Sequence, residues 1–180
     1  IELEAEGMVP GTIINQFSMD EWDGYFRIVT TVYSYTYSDG QDGEIVWRSI
    51  VDSKNYNALY ILDKKLKVVG KLENLAPDER VYSVRFMGDT GYFVTFRQVD
   101  PLFAVDLSNP GNPVILGELK IPGFSEYLHP FADGLLFGLG RDADEDSGKA
   151  GFLKLSMFDV SDPTALSEIN KLIIDNVYYS

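Results

Sequence analysis

Apolar and aromatic positions along this chain fall in short runs, rich in Val, Ile, Phe, Tyr and Leu, each bounded by Gly, Pro, Asp or Asn. Short β-branched and aromatic runs between turn residues predict strands, and no stretch carries the three-to-four-residue apolar spacing of an amphipathic helix. The predicted strands are 13–19, 25–32, 57–63 and 66–72, then 81–87, 91–97, 102–107 and 114–120, then 125–131, 135–140, 152–160 and 167–174. Asp23-Gly24 and Asp133-Gly134 mark hairpins, because such pairs tolerate positive φ.

The runs repeat. Leu59-Tyr60-Ile61-Leu62-Asp63 returns 43 residues later as Leu102-Phe103-Ala104-Val105-Asp106, and 53 residues after that as Leu155-Ser156-Met157-Phe158-Asp159. A polar insert around 141–151 accounts for the longer second step. Leu107-Ser108-Asn109-Pro110 is echoed by Val160-Ser161-Asp162-Pro163, and Val69-Gly70-Lys71-Leu72 by Leu116-Gly117-Glu118-Leu119. Gly24-Tyr25-Phe26-Arg27, Gly91-Tyr92-Phe93-Val94 and Gly134-Leu135-Leu136-Phe137 keep the same step, and Val9-Pro10-Gly11 matches Ile121-Pro122-Gly123. Four strands per period in the low forties is the mark of radial repetition. The chain therefore reads as all-β: a section of a β-propeller with about three four-stranded blades, part of a larger ring. Residues 13–72 form a blade with a long insert at 33–56, 81–120 a second, and 125–174 a third with an acidic insert at 141–151. Residues 1–6 finish a preceding blade and 176–180 begin a following one. The missing blades belong to the same protein or to another copy of the chain.

Charge and composition narrow the partners. Fifteen basic against 28 acidic residues leave a net charge of −13, which repels nucleic acid. With no cysteine there is no disulfide, thiolate nucleophile or sulfur-ligated metal. No apolar run is long enough to span a bilayer, so membrane contact would come only through an anchor upstream of Ile1.

Four runs carry a resemblance: NQFSMDEWDGYFRIVTT at 15–31, YSVRFMGDTGYFVTF at 82–96, DPLFAVDLSNPGNPVILGELKIPGFSEYLHP at 100–130 and LKLSMFDVSDP at 153–163. They resemble bacterial and archaeal secreted proteins with a C-terminal β-propeller domain. The resemblance implies an extracellular or cell-surface protein and no particular reaction.

In a blade the first strand lines the central channel, so the loops between second and third strands share a face with the loops between blades. That face carries the acidic segments. Asp142, Asp144 and Asp146 are spaced like the start of a calcium loop, which makes Ca²⁺ a candidate ligand and the only cofactor the residues suggest. Ser147, however, stands where an EF-hand needs its turn Gly, and Leu153 where it needs a bidentate Glu. Tyr33, Tyr35 and Tyr37 alternate with Ser and Thr on one side of a strand and suit a protein or glycan surface. Arg27, Arg85 and Arg97 lie in strands, where acids such as Asp20 or Asp100 would pair with them or an anion would bind at the channel mouth. His129 is the only histidine, and no nucleophile elbow, phosphate loop or metalloprotease motif occurs. The reading is a non-enzymatic binding or scaffold propeller. The alternative is a hydrolase or lyase at the channel mouth, with His129 and Asp100 the first groups to test.

Overall fold

The structure is a computed structural model and describes residues 3–42, 45–96, 100–144 and 150–175, with only the backbone of 45, 46, 96, 100 and 150. Its twelve described strands form three antiparallel sheets of four, each in sequence order. The first holds β1 (Met19–Trp22), β2 (Tyr25–Asp42), β3 (Ile45–Leu62) and β4 (Val68–Leu75). The second holds β5 (Arg80–Met87), β6 (Thr90–Phe96), β7 (Asp100–Asp106) and β8 (Val114–Ile121). The third holds β9 (Phe124–Ala132), β10 (Leu135–Ala143), β11 (Ala150–Asp159) and β12 (Ser167–Ile174). The fold is the all-β propeller section that the repeat predicts.

Each landmark of the repeat has a physical task. The Asp that closes every third-strand run caps the turn behind it: Asp106 accepts from the Ser108 N–H at 2.9 Å, Asp159 from Ser161 at 3.0 Å, and Asp63 from Lys65 at 2.8 Å. These are Asx turns, in which a short carboxylate replaces a backbone acceptor. Asp23 and Gly24 both take positive φ, 48° and 78°, as the tight β1–β2 hairpin requires.

Alternation along the strands then builds two cores. Val29, Leu59 and Ile61 of the first sheet meet Val84, Phe93, Phe103 and Val105 of the second. The opposite side of the second sheet, with Tyr92, Val94, Leu102 and Ala104, meets Phe124, Leu128, Leu136 and Phe158 of the third. Successive side chains on one strand thus serve two different interfaces, because a strand's period is two.

Three boundaries differ from the sequence reading. The strand expected at 13–19 is a single 3-10 turn at Gln16–Ser18 followed by the short β1. Asn15 redirects the chain there, its side chain accepting from the Phe17 N–H at 2.9 Å. The insert expected at 33–56 is a continuation of β2 and β3, which stay paired from Phe26–Leu62 out to Asp42–Ile45. Neither β1 nor β4 extends along it, so the outer half stands clear as a two-stranded ribbon. Residues 3–9 join no strand but run along the outer side of the first sheet, where Val9 packs with Ala58, Tyr60 and Leu62. Residues 176–180 lie outside the described residues.

Candidate functional site

The ribbon places Tyr33, Tyr35 and Tyr37 on one side, each about half exposed at 47%, 47% and 50%. Ile50, paired with Tyr37 across the strands, adds a 56% exposed aliphatic group to the same side. Arg48 lies over the Tyr37 ring with its guanidinium carbon 5.4 Å from the centroid, and its Nε donates to Asp39 at 2.6 Å. That hydrogen bond holds the Asp39 carboxyl below its ordinary value. On the opposite side Trp47 covers Gly40, where its indole leaves no room for a β-carbon. The ribbon is thus an aromatic strip that carries the Arg48–Asp39 ion pair toward its outer end.

The three arginines have different fates. Arg27 is buried at 3% exposure and fully engaged: it pairs with Asp20, as expected, with Nε at 3.0 Å, and donates to the Gly88 carbonyl at 2.6 Å. It holds the first sheet to the second and is not free to bind a ligand. Arg85 reaches across to the third sheet, where Nε donates to the Leu128 carbonyl at 2.8 Å. Its guanidinium lies 4.2 Å from the Phe17 ring and 5.4 Å from the Tyr127 ring. The expected acid is missing there: no ion pair of Arg85 occurs among the described residues. Arg97 lies outside the described residues.

His129 is exposed on β9, where it stacks on Tyr127 and hydrogen-bonds its hydroxyl through Nδ1 at 3.2 Å. It pairs with Phe137, near the β9–β10 turn. Asp100 begins β7 opposite Ile121, at the end where the chain crosses between sheets, and its side chain is not described. Five strand residues separate His129 from that end of β9, roughly 15 Å of rise. The two groups offered for catalysis therefore stand toward opposite ends of the sheets. Asp142 is half-buried at the end of β10, Asp144 is exposed just beyond it, and Asp146 is outside the described residues. Among the described residues no group of three or more His, Cys, Asp or Glu side chains is placed to hold a metal.

Sequence reasoning passed over a buried ion pair. Lys154, 3% exposed, donates to the Pro122 carbonyl at 2.8 Å and lies 3.0 Å from Glu168, which also accepts from Ser156 at 2.7 Å. The signal was Lys154 and Ser156 at inward-facing positions of β11, in step with Phe158. Polar residues at such positions need partners.

The profile of the beta propeller domain family matches residues 1–180. The chain belongs to that family. An uncharacterised protein of Archaeoglobus fulgidus is 47% identical over 180 residues, covering 99% of this propeller chain and 25% of its own length. An uncharacterised protein of Methanocaldococcus jannaschii is 45% identical over 174 residues, covering 97% of the propeller chain and 25% of its own length. The propeller chain therefore spans about a quarter of the length of these curated relatives.

Proposed function

We propose that this propeller section is a non-enzymatic binding element that grips a protein partner through the aromatic side of the β2–β3 ribbon. The observation that carries the reading is the row Tyr33, Tyr35, Tyr37 and Ile50, half exposed on a ribbon that no neighbouring strand supports. A two-stranded ribbon alone is marginal in water, and tyrosines bring large contact area at low entropic cost. Burying this side against a partner would stabilise both. An extracellular setting completes the reading and rests on the family resemblance.

Ring completion belongs to the same scaffold reading. Leu155 and Met157 of the third sheet stand at the repeat positions of Leu59 and Ile61, and of Leu102 and Ala104, which are buried against the next sheet. With Phe137 and Leu172 they line an open apolar groove. A further blade, of the same protein or of a second copy, is the partner that this geometry fits.

The test compares the native chain with a Tyr33→Ser, Tyr35→Ser, Tyr37→Ser variant for retention on surface and cytosolic fractions of the source cells. Retention on a protein component of the surface fraction should fall about tenfold in the variant, with its unfolding midpoint unchanged. Equal retention of both chains would contradict the ribbon reading. Retention abolished by glycan-degrading enzymes and untouched by protease would move the ligand from protein to glycan.

A further inference from the structure

Arg27, Lys154 and Arg85 each lie at a seam between sheets, and the first two obey one rule. Arg27 and Lys154 are each 3% exposed, and each combines a backbone carbonyl with a carboxylate: Gly88 with Asp20, and Pro122 with Glu168. Arg85 obeys half of it. Its Nε has the Leu128 carbonyl, but no carboxylate pairs with it among the described residues, and its Nη2 is buried without a hydrogen-bond acceptor. A charged donor shut away from water without an acceptor or counter-charge is costly, so an unfilled position of this kind is the place for an external anion.

The position is the centre of the propeller section. Arg85 is on β5 and Tyr127 on β9, the innermost strands of the second and third sheets, while Phe17 lies in the 3-10 turn that leads into β1, the innermost strand of the first. The Phe17 and Tyr127 rings contact one another at 5.7 Å, edge to face, as well as flanking the guanidinium. His129 stacks on Tyr127 and extends the polar lining of this axis. Two rings and one carbonyl fix the guanidinium, and its enclosed Nη2 is the donor left over for a carboxylate.

We propose that Arg85 is the anchor of a carboxylate-binding site on the propeller axis, flanked by Phe17 and Tyr127, with His129 stacked on Tyr127. A single guanidinium edge matches the two oxygens of one carboxylate. The site uses none of the ribbon residues, so it stands or falls separately from the ribbon reading. The carboxylate comes either from a free small acid or from an acidic side chain of a second copy.

The test follows the Arg85 Nε–H resonance of the ¹⁵N-labelled native chain, assigned by its loss in Arg85→Lys. In one arm, succinate is titrated into a dilute sample, with sodium chloride at equal ionic strength as the reference. In the other, the chain is concentrated without succinate while its association is followed by sedimentation. A saturable shift of the Arg85 signal and the Tyr127 ring protons with succinate but not chloride supports a free acid. The same shift on concentration alone, rising with association, supports a carboxylate of the second copy. The exposed Arg80, stacked on Tyr82, should not respond. Arg85→Lys keeps the charge but loses the fork, and should weaken succinate binding by at least about tenfold. An Arg85 signal that moves in neither arm overturns the proposal, whatever the variant does.

Discussion

Gly70 of β4 sits against the carbonyl of Pro110, so tightly that a β-carbon at that position would overlap the oxygen. Gly117 of β8 meets the carbonyl of Pro163 in the same way. Both glycines and both prolines are landmarks of the repeat. The contact is therefore a built joint, in which the outermost strand of one blade tucks under the third-to-fourth-strand turn of the next. In the third sheet the corresponding place is held by Asn170, which pairs with Met157 as Gly70 pairs with Ile61 and Gly117 with Ala104. Whatever covers the outward side of the third sheet cannot bring a turn carbonyl so near.

Gly70→Ala and Gly117→Ala should each destabilise the chain by about 1–3 kcal/mol, since the obstructing atoms are backbone and cannot swing aside. Urea unfolding measures this as a lowered midpoint at unchanged slope. Asn170→Gly should cost far less. A Gly70→Ala chain as stable as the native one would dissolve the joint.

The Lys154–Glu168 pair makes a second, less intuitive prediction. Glu168→Gln strands a buried ammonium and should cost about 3–5 kcal/mol, whereas Lys154→Met, which removes the charge itself, should cost clearly less. Comparing the urea midpoints of the two variants decides the order. The reverse order would mean that Lys154 is hydrated.

The turn aspartates, together with the Arg48-paired Asp39, should contribute to the acid limb of stability. Ser161 lowers the Asp159 carboxyl through its hydroxyl and its N–H, Thr164 does the same to Asp162, and the Lys67 N–H lowers Asp63 most. A pKa below the ordinary 3.8 in the folded chain means that the contribution is complete above that value and is lost as pH falls through the lower folded values. Unfolding midpoints should therefore drop on acidification below about pH 4, less steeply in an Asp159→Asn, Asp162→Asn variant. Carboxyl titration by NMR should show Asp159 rising toward its ordinary value in Ser161→Ala. A slope that is the same in both chains would assign the acid limb to other groups.

Tyr60 supplies the alkaline counterpart. Burial, and then the Glu73 carboxylate, push its phenol up to about 12. The neutral phenol's contribution is whole below the unfolded value near 10 and is lost as pH rises through the folded value. Burial raises the Tyr92 phenol as well, so spectrophotometric titration should show a late-ionising phase whose amplitude falls by one phenol in Tyr60→Phe. An unchanged late phase in that variant would point to another tyrosine.

The blades were legible in the sequence because their landmarks are local. Asp63, Asp106 and Asp159 cap turns within a few residues, and strand alternation sorts Leu59 from Tyr60 without any knowledge of neighbours. The ribbon was harder to see. Both of its sides face water, so residues 38–42 carry no apolar alternation to mark them as strand. Ile13 and Ile14 suggested a strand too early, yet they are 42% and 48% exposed and the Asn15 turn follows them. Among the charged groups, Arg27 and Asp20 were readable because a hairpin brings positions seven apart together. Lys154 and Glu168 meet only through the β11–β12 register, and the missing partner of Arg85 is visible only once three sheets are assembled.

Radial arrangement of the sheets is the claim on which the site geometry depends, and the Phe17–Tyr127 contact measures it directly. These rings belong to the first and third parts of the chain, and their centroids lie 5.7 Å apart only because the inner edges of the sheets converge. In a flat stack the same residues would be two sheet spacings apart, about 20 Å. A nuclear Overhauser effect between the Phe17 and Tyr127 ring protons in the folded chain is the predicted result. Its absence, with both rings assigned and the sheets intact, would contradict the propeller arrangement.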